Sequence, residues 1–417
     1  MKEVSDMKKY DILLKNGHVI DPANNIDGLA DVAVLNGKIA AVSANLNAEE
    51  AEKVIDVTGL YVTPGLVDAH LHCYYTSQIP KAWSGDYSIQ PDYVCFPAGV
   101  TTCVDVGSSG SYNFDHFRAT VINRSKLKIF ALLNIADYGM SSLMVEQFPE
   151  RNDYDSFIEC AQRNTDVIKG IKIAHYEGKD WRDLDYAKKV QKVFNKPIMV
   201  DFGVFKKERP YDELVMERLD AGDISTHCLR GPVPVIDENG KVYEYLWKAR
   251  ERGIRFDLGH GCGSYVMRNG IPAMAQGFLP DTFSTDLHAL SINSYAISMT
   301  NVLSKMLACC DMPLTELFRR ATIEPAKMLD LGDVGTLSVG SEADIAVFSM
   351  LEGSFGYQDN AGGRIEANRK LECEMTFRAG EIVWDLNARG GTPWQELPKL
   401  YGFFPEKEEY VLPTRYV

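Results

Sequence analysis

His70 and His72 stand two residues apart at the end of a short apolar segment, a spacing that can bind a metal. The turn signal Pro64-Gly65 precedes the segment Leu66–His72, and this combination predicts a strand buried on both faces, as in parallel sheets. Because alternate side chains of a strand share a face, Asp68, His70 and His72 are expected to point to one side. Two core histidines would each need a separate hydrogen-bond partner and would gain little from burial, so the pattern favours metal ligation.

Later apolar segments also end in polar side chains, namely Lys172, Asp201, His227, His260 and Asp286. The segment Val167–Ala174 carries two lysines of opposite parity, and we expect Lys172 to face inward and Lys169 outward. An inward lysine is costly unless it is neutralised or modified. Together these side chains predict a ring of buried charge, for which a divalent metal is the simplest counter-ion. Three other histidines are interpreted as hydrogen-bonded loop residues, namely His18, His116 and His175.

These side chains need a scaffold that brings the ends of several strands together. Between residues 66 and 286, apolar strand-like segments alternate with amphipathic segments such as Leu184–Phe194, which is typical of repeated βα units. The eight candidate strands are Leu66–His72, Thr101–Gly107, Lys128–Asn134, Val167–Ala174, Pro197–Phe202, Asp223–Cys228, Ile254–His260 and Asp281–Asp286. We therefore predict an α/β fold with a closed (β/α)8 TIM barrel over residues 63–331, which carries the active site at the carboxyl ends of its strands. An open doubly wound sheet is the alternative.

Both chain ends contain shorter strand-like segments. We predict tight hairpins at Asn16-Gly17 and Asn36-Gly37 near the start, and a further hairpin at Ala379-Gly380 near the end. Neither piece has enough apolar area to stand alone. We therefore predict a small composite, sandwich-like β-domain formed by both chain ends, over residues 1–62 and 332–390. Residues 391–417 form a C-terminal tail to which no role is assigned.

The composition argues against several classes of partner. A net charge of −14 over 417 residues argues against nucleic acid and against anionic membranes, and no apolar run has bilayer-spanning length. The nine cysteines are odd in number and contain no Cys-x-x-Cys spacing, so we expect reduced thiols and a cytoplasmic location. We expect a small-molecule substrate as the partner, and a homo-oligomer.

Several stretches of the chain together resemble one known family. Pro64–His72, the late Ser284-Thr285-Asp286 and the closing segment Gly335–Phe348 look like the amidohydrolase superfamily. Gly170-Ile171-Lys172-Ile173 is similar to the segment that bears a carboxylated lysine in urease and dihydroorotase. Gly99–Gly110 resembles the deacetylase and dihydroorotase-like subgroup. The His-x-His spacing alone is weak, whereas the ordered set is specific.

The resemblance implies a site with two divalent metal ions. His70, His72 and Asp286 would hold one ion, and Lys172 would bridge to a second ion held in part by His227. Lys172 reaches that role only as a carbamate formed with carbon dioxide, because an ammonium group would repel the metals. Metal binding lowers the pKa of bound water to about 7, so a metal-bound hydroxide becomes available, with Asp286 as the general base.

Asp201 departs from the family pattern, which usually has histidine at the end of this strand. Asp201 either replaces that histidine as a ligand or only orients His227 or Lys172 without touching the metal. A carboxylate ligand shifts the expected ion from zinc towards manganese or iron, because oxygen ligands suit harder ions. Both interpretations stay open at this point.

The expected activity is metal-dependent hydrolysis of an amide or ester bond, in an N-acyl or O-acyl small acid or a cyclic amide. The first alternative is a deaminase with one metal ion, although such sites usually lack a lysine at the position of Lys172. The second alternative is a binding protein that keeps the fold without turnover. His260, Arg230 and Tyr74 follow strand ends and are the candidates for substrate binding.

Overall fold

The computed structural model describes residues 8–397, so most of the predicted tail, 391–417, lies outside the described residues. The first five strands are β1 Tyr10–Asp21, β2 Ile26–Leu35, β3 Lys38–Ser43, β4 Ala51–Asp56 and β5 Tyr61–Pro64. Their buried residues, with Val32 and Val62 among them, form a core of their own with the closing strands of the chain.

Seven strands follow that pair only in parallel. They are β6 Leu66–Leu71, β7 Val100–Val106, β8 Lys128–Asn134, β9 Ile168–Ile173, β10 Ile198–Asp201, β11 Ile224–Thr226 and β12 Arg255–Phe256. Their order in the sheet is the order along the chain, from β6 at one edge to β12 at the other. The carboxyl ends of all seven strands therefore lie at the same end of the sheet.

Three closing strands complete the first sheet, namely β13 Ile345–Gln358, β14 Arg364–Arg378 and β15 Glu381–Asp385. The sheet order is β15-β14-β13-β5-β1-β2-β3, and β4 pairs with β1. Strands from both chain ends thus share one mixed sheet, in which β13 pairs with β5. The domain boundaries at 62/63 and 331/332 stay a prediction.

The helices lie mainly between the parallel strands and after the last of them. They are α1 Pro91–Cys95, α2 Phe114–Phe117, α3 Tyr154–Arg163, α4 Arg182–Phe194, α5 Tyr211–Glu213, α6 Glu244–Glu251, α7 Met267–Ala275, α8 Ala289–Ile292, α9 Met299–Cys309, α10 Leu314–Arg319 and α11 Ile323–Met328. The break between α10 and α11 follows from Pro325, whose ring excludes a carbonyl four residues earlier in a continuous helix. In the part of the chain that is described, no helix is long and apolar enough to cross a bilayer.

The prediction of a closed (β/α)8 TIM barrel is wrong, because the parallel strands form a half-barrel of seven and not a ring of eight. Residues 281–286, predicted as the eighth strand, form one isolated bridge, between Asp257 and Thr282, and a second bridge joins Leu71 to the next residue, Leu287. Backbone hydrogen bonds such as Asp281 N to Phe256 O hold the segment beside its neighbours, and the hydroxyl groups of Thr282 and Ser284 donate to Asp257. The doubly wound alternative is not found either, since the strand order never reverses.

The predicted hairpin at Asn16-Gly17 is also wrong, whereas the one at Asn36-Gly37 links β2 to β3 as expected. β1 runs straight through Asn16-Gly17 with a β-bulge. The Asn16 amide donates to Asp31, and a Cβ on Gly17 would lie 2.6 Å from Val62, so the chain passes close to its neighbour and does not turn.

β6 carries an irregularity that affects the site. Its register shifts between Asp68 and Leu71. Val67 and Ala69 pack in one core with residues of α11, whereas Leu71 packs in the other large core. The strict alternation expected for this strand is therefore lost just where its two histidines begin.

Candidate metal centre

A buried cavity of about 100 Å³ lies at the carboxyl ends of the parallel strands. Six side chains predicted as metal ligands all line it, namely His70, His72, Lys172, Asp201, His227 and Asp286. A larger groove of about 470 Å³ lies between α9 and the β13–β14 hairpin, and it contains none of these residues. The predicted metal ligands are thus concentrated in the smaller of these two spaces.

Three of these residues, here called the Asp286 group, are His70, His72 and Asp286. Asp286 Oδ1 lies 3.2 Å from His72 Nε2 and 3.6 Å from His70 Nε2. One ligand atom from each residue lies within 4.8 Å of the others, and the residues described contain no second such group of three or more His, Cys, Asp or Glu. The three atoms can therefore bind a single ion.

The opposite ring nitrogens of both histidines have fixed partners. His70 Nδ1 lies 3.2 Å from Asp257 Oδ2 and 2.9 Å from Thr226 Oγ1. His72 Nδ1 lies 3.0 Å from Ser108 Oγ. Because Asp257 accepts from Nδ1, the Nε2 lone pair of His70 is free for a metal. Burial, aided by the charge of Lys172, lowers the pKa of His70 to about 4, so its imidazole is neutral.

Two further residues, Asp201 and His227, form a second set that we call the Asp201 group. Asp201 Oδ2 lies 3.6 Å from His227 Nε2. His227 Nδ1 donates to Gly259 O at 2.7 Å, so Asp201 does not orient the ring through that nitrogen. Asp201 Oδ1 accepts from Arg230 Nη1 at 3.0 Å and from the Gly203 amide at 2.7 Å.

The carboxylate of Asp201 is therefore held by one oxygen, and the other oxygen faces the same space as His227 Nε2. Burial favours the neutral acid, but the charges of His227 and Arg230 outweigh it and hold the pKa of Asp201 well below its usual range. Asp201 is thus a carboxylate with one oxygen left for a ligand.

Lys172 is 1% exposed, and its Nζ makes no hydrogen bond to any described residue. Burial lowers the pKa of Lys172 while Asp201 and Asp286 act in the opposite direction. Gly107, at φ +80°, makes room for this side chain, because a Cβ there would lie 2.6 Å from Lys172 Cγ. Lys172 lines the cavity, so a group bound there can satisfy its amine.

The comparisons with known proteins agree with this arrangement of side chains. Residues 266–383 match the amidohydrolase family. A deacetylase of Brucella anthropi is 33% identical over 370 residues, which cover 86% of this chain and 88% of that protein. The chain belongs to the amidohydrolase superfamily. It is accordingly a hydrolase, and the resemblance stated from its motifs is confirmed.

Two solved structures are similar to this amidohydrolase over 90% of its chain. One, described as an adenine deaminase, has a TM-score of 0.80 and 26% identity and is covered completely. The other, described as a dihydroorotase, has a TM-score of 0.79 and 30% identity and is covered to 99%. The overall likeness therefore extends over both sheets.

The donor atoms of this amidohydrolase fit a divalent metal. Imidazole nitrogens and carboxylate oxygens line one cavity, and they are the ligands that zinc, manganese and iron accept. The position of Lys172 in the same cavity also fits a metal site, because a group that bridges metal ions there would satisfy the Lys172 amine. Neither the identity of the metal nor the state of Lys172 follows from these contacts.

The cavity-lining side chains that were not predicted as site residues include His175, Cys262 and His288. His175, interpreted above as a loop residue, has its Nδ1 3.0 Å from Glu146 Oε2. Its position three residues after Lys172 was a usable signal, because a residue just past a strand end opens onto the same side of the sheet. The same holds for His288, two residues after Asp286.

Of the three substrate-binding candidates, the structure brings only Arg230 into the cavity. His260 has both ring nitrogens occupied: Lys305 Nζ donates to Nε2 at 2.8 Å, and Nδ1 donates to Gly261 O at 3.0 Å. The Tyr74 hydroxyl bonds His116 Nδ1 at 2.9 Å, away from the cavity. His260 and Tyr74 therefore do not line the cavity, and their assignment to substrate stays a prediction.

Proposed function

We propose that this amidohydrolase uses divalent metal to hydrolyse an amide or ester bond in an N-acyl or O-acyl small acid, or in a cyclic amide. The observation that carries the proposal is the convergence of the Asp286 group, the Asp201 group and Lys172 in one buried cavity. The names of the similar proteins, a deacetylase and a dihydroorotase, support an acyl or cyclic amide substrate.

The Asp286 group would hold one ion, and the Asp201 group would hold a second. Lys172, as a carbamate formed with carbon dioxide, would reach both and exchange its repelling positive charge for a negative one. Bound divalent metal supplies Lewis-acid polarisation of the carbonyl and lowers the pKa of water to about 7.

Asp286 would accept a proton from the attacking water. Its Oδ1 faces the two histidines, while Oδ2 lies over Gly261, where a Cβ would come 2.2 Å from that oxygen. The bare glycine thus leaves the second oxygen accessible. The backbone of Asp286 has φ +48°, an uncommon conformation for a residue with a side chain, which fixes the carboxylate in direction.

Arg230 would bind the acid group of the substrate. Only its Nη1 is engaged with Asp201 among the described residues, and the guanidinium carries five N–H donors in all. The remaining donors can hold a carboxylate in the planar manner that arginine favours. A small molecule that carries both an acyl bond and a carboxylate therefore suits the cavity.

The test is turnover by the purified protein, with zinc or manganese and bicarbonate, on N-acyl acids, O-acyl acids and cyclic amides. Each acid is paired with its neutral carboxamide. We expect metal-dependent hydrolysis that favours the acid of each pair. A protein that holds metal yet hydrolyses none of these compounds would contradict the proposal, and ammonia release from an aminopurine would favour the deaminase. Light scattering tests the expected homo-oligomer.

A further inference from the structure

Glu146, which is buried, and His175, which is partly buried, form a pair beside the cavity that the function proposed above does not use. His175 Nδ1 is 3.0 Å from Glu146 Oε2, and their side chains are 25% and 2% exposed respectively. Because Glu146 accepts from Nδ1, the other nitrogen, Nε2, is left for a molecule in the cavity that His175 lines.

One short turn holds this histidine in place. Glu146 and Gln147 both belong to the 3₁₀ turn Val145–Gln147. Gln147 Nε2 donates to the His175 carbonyl at 2.8 Å, so the same turn fixes the ring and the backbone. His175 has φ +51°, a conformation that residues with side chains rarely adopt and that is concentrated at functional sites. Asn134, the last residue of β8, lies 3.4 Å from Glu146 Oε1.

The surroundings favour the doubly protonated ring. Burial alone would lower the pKa of His175, but the charge and hydrogen bond of Glu146 outweigh it and raise that pKa. The Trp83 ring lies with its centroid 4.9 Å from that of His175, inclined at 37°. An aromatic ring at this distance is attracted to a cation. His175 can thus carry a proton on Nε2 while Glu146 holds Nδ1.

A role as a metal ligand is less consistent with the geometry. If His175 bound the same ion as Asp201 and His227, one ligand atom of each would lie within a few ångströms of the others. Within the described residues, only the Asp286 group brings three or more such ligand atoms within 4.8 Å of one another. His175 does not form such a group with Asp201 and His227.

We propose that His175 is a catalytic residue that donates a proton from Nε2 to the leaving group, with Glu146 as its positioning residue. The inference rests on the hydrolysis proposed above and deepens it. It divides the proton transfers between two side chains, since Asp286 takes a proton from water and His175 supplies one to the product.

The atoms balance in this scheme. The oxygen of water bonds to the acyl carbon, and one proton of that water goes to Asp286. The bond from the acyl carbon to the leaving nitrogen or oxygen breaks, its electron pair stays on the leaving atom, and that atom takes the Nε2 proton of His175. Asp286 then loses a proton to solvent and His175 gains one, so no oxidant or reductant is needed.

The test compares two substrates with the same acyl acid, an alkylamide and an activated aryl ester. An alkylamine needs a proton to leave, whereas an activated phenolate does not. His175→Gln should lower kcat for the amide by about 100-fold or more, and for the aryl ester by less than about 5-fold. Glu146→Gln should show the same selectivity with a smaller loss. A ratio of two substrates is independent of the fraction of folded protein.

His116→Gln is the matched control, because His116 is exposed and bonded to Tyr74 outside the cavity. It should leave both substrates unchanged. A second readout needs no turnover: ¹⁵N spectra of the zinc-loaded protein, which has eight histidines, should show both ring nitrogens of His175 protonated near neutral pH. His175→Gln assigns that signal, and Glu146→Gln should abolish the double protonation.

Three outcomes would overturn the proposal. Equal losses on amide and ester, loss of bound metal in His175→Gln, or a neutral His175 ring in the wild type would each remove the role. A wild type that holds metal and hydrolyses neither substrate contradicts the proposed function itself, and the role of His175 falls with it. A wild type that hydrolyses both while His175→Gln loses both equally contradicts only the role of His175.

Discussion

The Asp286 group and the Asp201 group line the same cavity but are supported differently. In the first, Asp257 and Ser108 hold the outer ring nitrogens of the histidines, and the three ligand atoms lie within 4.8 Å of one another. In the second, the carboxylate of Asp201 shares its charge with Arg230. Asp286 therefore keeps its full negative charge for a metal, whereas the charge of Asp201 is already partly balanced by Arg230.

This difference affects how Asp201 changes the net charge of the site. Replacement of a neutral histidine by Asp201 removes one unit of positive charge from the site, but Arg230 adds one back at 3.0 Å. A preference for manganese or iron must therefore come from the oxygen ligand and not from a lower net charge.

The largest effect is expected for Asp286→Asn, which removes the negative charge of the Asp286 group. The amide cannot accept a proton from water, so kcat should fall by about 10³-fold or more with the fold retained. Steady-state kinetics with metal analysis and circular dichroism measure this. Wild-type kcat at unchanged metal content would show that another group is the base.

Lys172→Ala should remove the side chain that joins the Asp286 group to the Asp201 group. We expect a loss of about 100-fold or more, with partial recovery when short carboxylic acids replace the missing carbamate. Lys169→Ala is the control, because Lys169 is on the same strand, β9, and does not line the cavity. High-resolution density for a bare amine in metal-loaded crystals would contradict the carbamate.

Asp257→Asn tests the hydrogen bond that holds His70 in the Asp286 group. Loss of the carboxylate partner of His70 Nδ1 should weaken metal affinity by about 10- to 100-fold, while Ser108→Ala, which removes a neutral partner, should cost less. Titration with a competing chelator measures both. Equal affinities for the wild type and Asp257→Asn would mean that this hydrogen bond does not support the metal.

Asp201→His tests the Asp201 group and should have the smallest effect on rate. The wild type should work better with manganese than with zinc, and the variant should reverse that order. Because Arg230 would then be unpaired beside two dications, Asp201→His/Arg230→Gln should bind zinc more tightly than the single variant. An unchanged metal preference in reconstituted proteins would exclude Asp201 as a ligand, and one ion per wild-type chain would contradict the two-metal arrangement.

The strands and the Asp286 group were largely predictable from the sequence. Apolar runs bounded by turn residues identify strands, and Lys128–Asn134 was predicted with the bounds that the structure has. His70, His72 and Asp286 follow such runs, so the parallel sheet places them on one side. The alternation of side chains along the strand was enough to predict that Lys172 faces inward. In the structure, Met199 pairs with Lys172 and packs in the same core as Val67 and Ala69.

The remainder depended on contacts that the local sequence does not encode. The role of His175 requires Glu146, 29 residues earlier on an irregular turn, and no strand or helix period relates the two. Asp281–Asp286 has the composition of a strand, but it forms only an isolated bridge, and its hydroxyl groups bond Asp257 and Asp68.

That hydroxyl-rich segment also has a consequence for folding. Thr285 bonds Asp68 from 217 residues away along the chain, and Asp286 donates its amide to His70 O, so the two contacts close a very long loop. Contacts of such sequence separation form late, because loop closure must precede any gain from them. The Asp286 group is therefore assembled only when the last segment docks, and a bound ion would stabilise that docking. Amide exchange should show residues 281–288 as the part of the half-barrel that opens first when a chelator removes the metal.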